Sequence, residues 1–336
     1  MTRVARFSRF HVLRRHFSTA IPKTVGVLGL PFWRGQRKNG TELAPEELRR
    51  RGLLDEISNT SEPRDFGDVD FDQCGETDQL RYMAESAKLV RRSVKASLER
   101  CAVLVNIGGD HSVGMGTVAG HADFAQSLGK DVAVLWVDAH ADINTPSTSL
   151  TGSWHGMPLS FTLHQMTKYL PPLKEFSGWT PTVAAESIAF IGLRDLDPSE
   201  RLFLDRLRIT SFSIRDVDSL GMKRVAEMAL QAVNSRGDKS LHVSFDIDAL
   251  DPTQARSTGT PVAGGLTLRE AAVLAETVVS TQTLRVLDMV EVNPRLGSPT
   301  DVESTMDAAK KVITWMLGHR REGRQPDQLS EEIRLK

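Results

Sequence analysis

Asp138, His140 and Asp142 stand at alternate positions directly behind the apolar run Val132–Val137. In extended backbone, successive side chains point to opposite faces, so residues spaced by two converge on one side. Two carboxylates held side by side repel, and burying them unpaired is expensive; a positive charge between them relieves both problems. A divalent metal ion supplies that charge. The competing reading is a solvated loop end whose aspartate caps the next helix, and one D-x-H-x-D pattern does not separate the two.

The same chemistry recurs behind other apolar runs. Ala102–Gly109 leads into Asp110-His111, Leu241–Phe245 into Asp246-Ile247-Asp248, Ser187–Arg194 into Asp195 and Asp197, and Leu284–Val290 into Glu291-Val292-Asn293-Pro294. In open parallel sheets, ligands bind beyond the carboxyl ends of the strands. Acids or histidines behind five strands at one edge exceed what packing explains. His111, His140, Asp138, Asp142, Asp246 and Asp248 together make two imidazoles and four carboxylates, too many for one ion and too oxygen-rich for structural zinc. Two ions sharing carboxylates fit this set, and hard oxygen donors with some imidazole suit manganese. Metals about 3.5–4 Å apart can share a water and lower its pKa toward neutrality, so the implied chemistry is hydrolysis.

The elements that must position these residues read as alternating strands and helices. "TVGVLGL", "AVLVNIGG", "VAVLWVD", "SIAFIGLR", "ITSFSI", "LHVSFDID" and "LRVLDMVEV" have strand character, and amphipathic stretches span Pro45–Ile57, Asp78–Cys101, Leu266–Val279 and Thr300–Leu317. Such alternation predicts an α/β fold with a parallel sheet covered by helices on both faces. No Pro/Gly-rich linker, repeat or low-complexity block interrupts Lys23 to Gly318. The expected organisation is a leader over 1–22, one catalytic domain over 23–318, and a charged tail over 319–336 at the surface or a subunit contact.

Composition excludes several classes. With 336 residues, 40% hydrophobic and 25% charged, the chain can bury a large core and is neither disordered nor collagen-like. No apolar run approaches the roughly 20 residues of a membrane span. Cys74 and Cys101 have no metal-type spacing and no partners for a disulfide scaffold, which suits a reducing compartment. The first 17 residues carry five arginines, and the first acidic residue of the chain is Glu42. That pattern suits an Arg-rich mitochondrial transit peptide cleaved near Phe17; a frayed basic tail is the plainer alternative. Without those arginines the balance is 37 basic to 43 acidic residues, which argues against a nucleic-acid partner.

"GGDHS", "DAHADINTP" and "SFDIDALDP" resemble the three metal-binding motifs of the ureohydrolases, and "GLPFWRGQRKNGTELAPEELR", "TGTPVAGGLTLRE" and "LDMVEVNP" are similar to the arginase family within them. The resemblance runs from about Val25 to Gly323. It implies a three-layer α/β/α fold with one eight-stranded, mainly parallel sheet, usually trimeric, and hydrolysis of L-arginine to L-ornithine and urea at two Mn2+ ions per subunit. Carried over by motif, His111, Asp138, Asp142 and Asp246 hold one ion and Asp138, His140, Asp246 and Asp248 the other, with Asp138 and Asp246 bridging. It further implies that Asp142 relays a proton, Glu291 pairs with the cationic guanidinium, and His155 shuttles protons at the mouth. The α-amino and α-carboxylate groups fall to Asn144, Ser149, Thr151, Ser153, Asp197 and Glu200, and Thr260 completes the substrate contacts. His121, His164, His242 and His319 are expected to be ordinary structural histidines.

The chain departs from the family at the far end of the substrate. "SLTGSWHG" stands where "TxSGNxHG" is usual: hydroxyls persist at Ser149 and Thr151, an amide is replaced at Ser153, and Trp154 is expected to add bulk beside His155. An agmatinase or guanidino-acid hydrolase would share every metal ligand and differ in the loop between Asn144 and His155. A non-catalytic metal-binding regulator is the remaining alternative.

Overall fold

The computed structural model describes residues 21–75 and 78–321; apart from Ile21 and Pro22, the basic leader lies outside the described residues, as does the tail beyond Arg321. Eight strands form one sheet: β1 (Thr24–Leu30), β2 (Glu62–Asp68), β3 (Val103–Gly108), β4 (Val132–Val137), β5 (Ile188–Leu193), β6 (Thr210–Ser213), β7 (Ser240–Asp246) and β8 (Leu284–Val290). Their order is β2-β1-β3-β8-β7-β4-β5-β6, and every neighbouring pair is parallel. The expected α/β sheet is therefore wholly rather than mainly parallel.

Helices cover both faces. In chain order they are α1 (Ala44–Arg50), α2 (Leu53–Ser58), α3 (Gln79–Leu98), α4 (Gly114–Ser127), α5 (Pro158–Thr162), α6 (Pro198–Leu207), α7 (Ile214–Leu220), α8 (Met222–Val233), α9 (Leu268–Thr281) and α10 (Pro299–Met316). One layer holds α1, α2 and α7–α10; the other holds α3–α6. Within β4 the pattern explains how one apolar run serves both layers. Ala133, Leu135 and Val137 face the first, whereas Val132, Val134 and Trp136 face the second.

Local chemistry accounts for the helix limits. Asp78 caps α3 through the Arg81 N–H, Thr267 and Glu270 form a capping box on α9, and Ser298 and Asp301 form one on α10, which also has Pro299 in its first turn. The single helix expected over Pro45–Ile57 is divided, because Gly52 adopts φ 81 between α1 and α2. Strand β2, "EPRDFGD", escapes an apolar-pattern reading because it is an edge strand with mostly exposed side chains, where Pro63 is tolerated.

The order has one consequence for the site. Strands β3, β8, β7 and β4 lie side by side at the centre, although the chain visits them far apart, and the acids and histidines behind all four meet at one edge.

Candidate active site

Register across the central strands sets two rows of side chains. In β4 and β7, Trp136 pairs with Ser244 and Val137 with Phe245, so Asp138 and Asp246 emerge together one step beyond. His111, from the turn after β3, reaches the same point: its Nδ1 lies 3.1 Å from Asp138 Oδ2, 3.0 Å from Asp142 Oδ2 and 3.1 Å from Asp246 Oδ2. His140 Nδ1 lies 3.4 Å from Asp138 Oδ1 and 3.3 Å from Asp248 Oδ2. Two clusters result, His111–Asp138–Asp142 and Asp138–His140–Asp248, and Asp138 gives one carboxylate oxygen to each.

Backbone and aromatic contacts hold these groups in place. The His140 N–H donates to Asp138 Oδ1 at 2.7 Å, the Asp248 N–H to Asp246 Oδ1 at 2.8 Å, and the Thr260 hydroxyl to Asp248 Oδ2 at 2.9 Å. The His111 ring stacks on Trp136 with centroids 4.0 Å apart, and its Nε2 meets the Ser244 hydroxyl at 2.8 Å. With Nε2 so engaged, Nδ1 is the nitrogen turned toward the three carboxylates. Asp142 and Glu291 adopt φ 50 and 62; such conformations cost on the order of 1–3 kcal/mol each and persist where the surroundings enforce them.

Electrostatics test whether this donor set suits metal ions. His111 Nδ1 is buried with no hydrogen bond of acceptable geometry, despite three carboxylate oxygens within 3.1 Å. Burial, then Asp248 and Asp138, push the Asp246 carboxyl well above its ordinary range; burial and Asp138 push Asp142 up to about 6. Burial opposes charge on His111 and His140, yet the surrounding carboxylates raise both. The protein thus crowds four carboxyl groups round two imidazoles, and His111 Nδ1 faces three of them without a well-formed hydrogen bond. Separations of 3.0–3.1 Å match neighbouring ligands around a hard divalent ion at about 2.1 Å. The residues fit two ions.

Beside the clusters lies an open pocket lined by His140, Asp142, Asn144, Ser149, Thr151, Ser153, His155, Gly156, Asp195, Asp197, Glu200, Asp246 and Thr260. Its far wall is rigidly wired. Asn144 Nδ2 donates to Asp197 Oδ2 at 2.8 Å, while its Oδ1 accepts from the hydroxyls of Thr148 at 3.0 Å and Ser199 at 2.8 Å. The Ser149 and Thr151 hydroxyls accept from the N–H groups of Gly152 and Ser153, leaving each hydroxyl proton free to donate. Glu200 caps α6 through the Asp197 N–H, and burial raises its carboxyl to about 8.

Two residues sit differently from the sequence expectation. Glu291, only 1% exposed, is absent from the pocket wall: it lies behind His155, with Oε1 3.0 Å from His155 Nδ1. Burial lowers the His155 pKa, but Glu291 outweighs it and the imidazole is pushed up to about 9. Trp154 does not crowd the pocket beside His155. Its ring turns into the core, 5.6 Å from Phe161 and 6.0 Å from Phe176, because the short 3-10 turn Trp154–Gly156 points successive side chains apart. His121 and His242 are buried in the core, as expected of structural histidines.

The model of the arginase family matches residues 23–318. This chain belongs to the arginase family. It is an arginase-type ureohydrolase, and the family implies a binuclear metal site, for which the two clusters sharing Asp138 are the candidates. Among its relatives, "Arginase-2, mitochondrial" of Bos taurus is 41% identical over 313 residues, covering 89% of this chain and 86% of that one. An arginase of Schizosaccharomyces pombe is 42% identical, covering 88% and 92%. The solved arginase of Bacillus caldovelox superposes with a TM-score of 0.79 at 31% identity, covering 89% of this chain and 99% of that one.

Several site residues escape the sequence reading. Asp195 was visible as a strand-end acid, and the structure places it on the pocket wall, 3.8 Å from His140 Nε2. Ser244 was legible only as one more strand residue, two before Asp246 and hence on its face. Gln36 was not singled out, and it reaches Glu291 across 255 residues; Asp110 was visible as a strand-end acid, but it turns away from the clusters to bind the Gly35 N–H.

Proposed function

We propose that the protein hydrolyses L-arginine to L-ornithine and urea with two Mn2+ ions per subunit held by His111, Asp138, His140, Asp142, Asp246 and Asp248. The observation that carries this reading is the juxtaposition of the two Asp138-sharing clusters with a pocket whose opposite wall offers Asn144, the Ser149 and Thr151 hydroxyls and the acids Asp197 and Glu200. When bound, the ions supply a water nucleophile available near neutral pH. The wall distant from them suits an α-amino acid, with hydroxyl and amide donors for the carboxylate and Asp197 for the ammonium. Ser153 and Thr260 border the same pocket.

The chain's own acids and bases then divide the work. Asp142, left-handed and buried, faces the reacting end, where its carboxylate accepts a proton from the nucleophile and passes it to the leaving amine. His155 stands at the mouth with a proton to give at neutral pH. Glu291 takes the guanidinium when His155 turns from it, exchanging one cation for another on the same carboxylate. We further read residues 1 to about 17 as a mitochondrial import signal, and the assembly as a homotrimer by family resemblance.

Full-length, manganese-loaded protein offered L-arginine, agmatine and 4-guanidinobutyrate in parallel tests the reading, with urea and the amine product quantified. Release of ornithine and urea from L-arginine at a kcat/KM far above the other two is expected. Preference for agmatine or guanidinobutyrate overturns the substrate, and no urea from any of them overturns the activity.

A further inference from the structure

We propose that Gln36 is a positioning residue for Glu291, fixing the carboxylate that receives the substrate's guanidinium; this rests on the arginine-hydrolase reading above. Three donors surround that carboxylate. Oε1 accepts from the His111 N–H at 2.8 Å and lies 3.0 Å from His155 Nδ1, whereas Oε2 lies 2.6 Å from Gln36 Nε2. The Glu291 backbone is itself pinned, at φ 62 with its N–H donating to the Gly109 carbonyl at 2.9 Å.

Gln36 belongs to a loop fastened at several points. The Gly35 N–H donates to Asp110 Oδ2 at 2.7 Å, and the Gly35 carbonyl accepts from the His155 N–H at 3.1 Å. Lys38 binds the Gly259 carbonyl, and Asn293 Nδ2 donates to the Asn39 carbonyl at 3.1 Å. Consecutive residues of one loop therefore hold two separate groups: Gly35 the backbone of His155, and Gln36 the carboxylate of Glu291. On its other side the Gln36 amide packs against Gly259, where a Cβ would stand 2.5 Å from Oε1.

The chemistry explains the choice of an amide. A carboxylate pairs with a planar guanidinium best when its own plane is already set, because orientation made before binding is not lost from the binding energy. Oε1 is fixed by the His111 N–H, but the His155 contact on the same oxygen must loosen during turnover. Gln36 is the neighbour described on Oε2. A neutral amide fixes that oxygen without neutralising the charge the cation needs, which a lysine there would do.

Two variants of the manganese-loaded, full-length protein test this. Gln36→Met keeps the length and packing but removes the donor; Gly259→Ala keeps Gln36 but its methyl displaces the amide. Both are expected to raise KM for L-arginine about tenfold with kcat within about threefold of wild type. Metal content, melting temperature and the inhibition constant of an α-amino acid with an apolar side chain of similar length are expected to stay unchanged. The last control reports the far wall of the pocket alone. Wild-type kcat/KM in Gln36→Met, or a loss shared equally by the apolar amino acid or by the metal content, overturns the assignment. Wild-type inactivity on L-arginine is a different failure, of the function itself, and is seen before either variant is compared.

Discussion

Two buried clusters of histidine and aspartate lie one pleat apart in the central strands, and they have opposite natures. In the lower one, His242 Nε2 meets Asp288 Oδ2 at 2.9 Å, Asn106 Nδ2 donates to Asp288 Oδ1 at 2.7 Å, and the Thr117 hydroxyl donates to Asp288 Oδ2 at 2.5 Å. His121 completes it, with Nδ1 3.3 Å from His242 Nδ1 and Nε2 2.7 Å from the Ser240 hydroxyl. One proton arrangement satisfies the whole chain: Ser240 donates to His121, His121 to His242, and His242 to Asp288. Burial opposes charge on Asp288, yet His242, Asn106 and Thr117 together keep its carboxyl below the ordinary range. The upper cluster has six acids and histidines, a His111 Nδ1 with no hydrogen-bond partner, and Asp142 and Asp246 carboxyls pushed up by burial and by neighbouring carboxylates. Similar residue types thus make a network closed around its one carboxylate in one place, although Asn106 Oδ1 is left without a partner, and an open one in the other. What differs is the ratio of donors to carboxylates, and only the open network calls for ions from outside.

The largest expected effect breaks the open cluster. Asp138→Ala removes the carboxylate common to both groups, so activity should fall to background and elemental analysis should find fewer than two manganese ions per chain. Two ions retained would disprove the sharing. Next, His155→Asn leaves every proposed ligand in place and should lower kcat by roughly 10²–10⁴, the usual range for a lost general acid or base, with a smaller change in KM. A raised KM with kcat intact would instead make His155 a binding residue.

The closed cluster should answer in stability. Asp288→Ala leaves the donors of His242, Asn106 and Thr117 without their acceptor in the core, at about 1–3 kcal/mol for each stranded group; denaturant unfolding should show that loss while manganese content at low temperature persists. If the metal left with Asp288, the two clusters would not be separable. The smallest effect concerns pH. Burial, with His242 and Arg285 adding to it, holds the His121 pKa well below its ordinary value. A depressed histidine binds its proton in the unfolded chain first, so its stabilisation is complete above pH about 6.5 and is lost as pH falls below it. Relative to His121→Gln, the wild type should lose about 1.4 kcal/mol of its advantage between pH 7.5 and 5.5. Parallel pH dependences would show that His121 does not carry it.

The proposed metal ligands were legible because their signal is local. Asp138, His140 and Asp142 follow β4 directly, and Asp246 and Asp248 stand at the end of β7, so acid and histidine at a strand end are visible without knowledge of neighbours. The extended geometry itself stops at Val137 and Asp246, and turns, with Asp142 at φ 50, bring the side chains together. The helices behind Asp78, Thr267 and Ser298 were legible from their amphipathic period, and capping side chains at those residues fix their starts in the structure. The apolar runs likewise determine a parallel sheet buried on both faces. Strand order is not local. That β3, β8, β7 and β4 become neighbours decides that His111 meets Asp246, that Ser244 orients His111 and that Asp288 closes its own network instead of joining the ions. Tertiary structure also hides Glu291 behind His155, turns Trp154 into the core and brings Gln36 to a carboxylate 255 residues away. The physical reason is the same in each case. Side-chain type and spacing set what a residue is able to do, but burial, charge balance and the count of nearby donors are sums over neighbours that chain order does not contain.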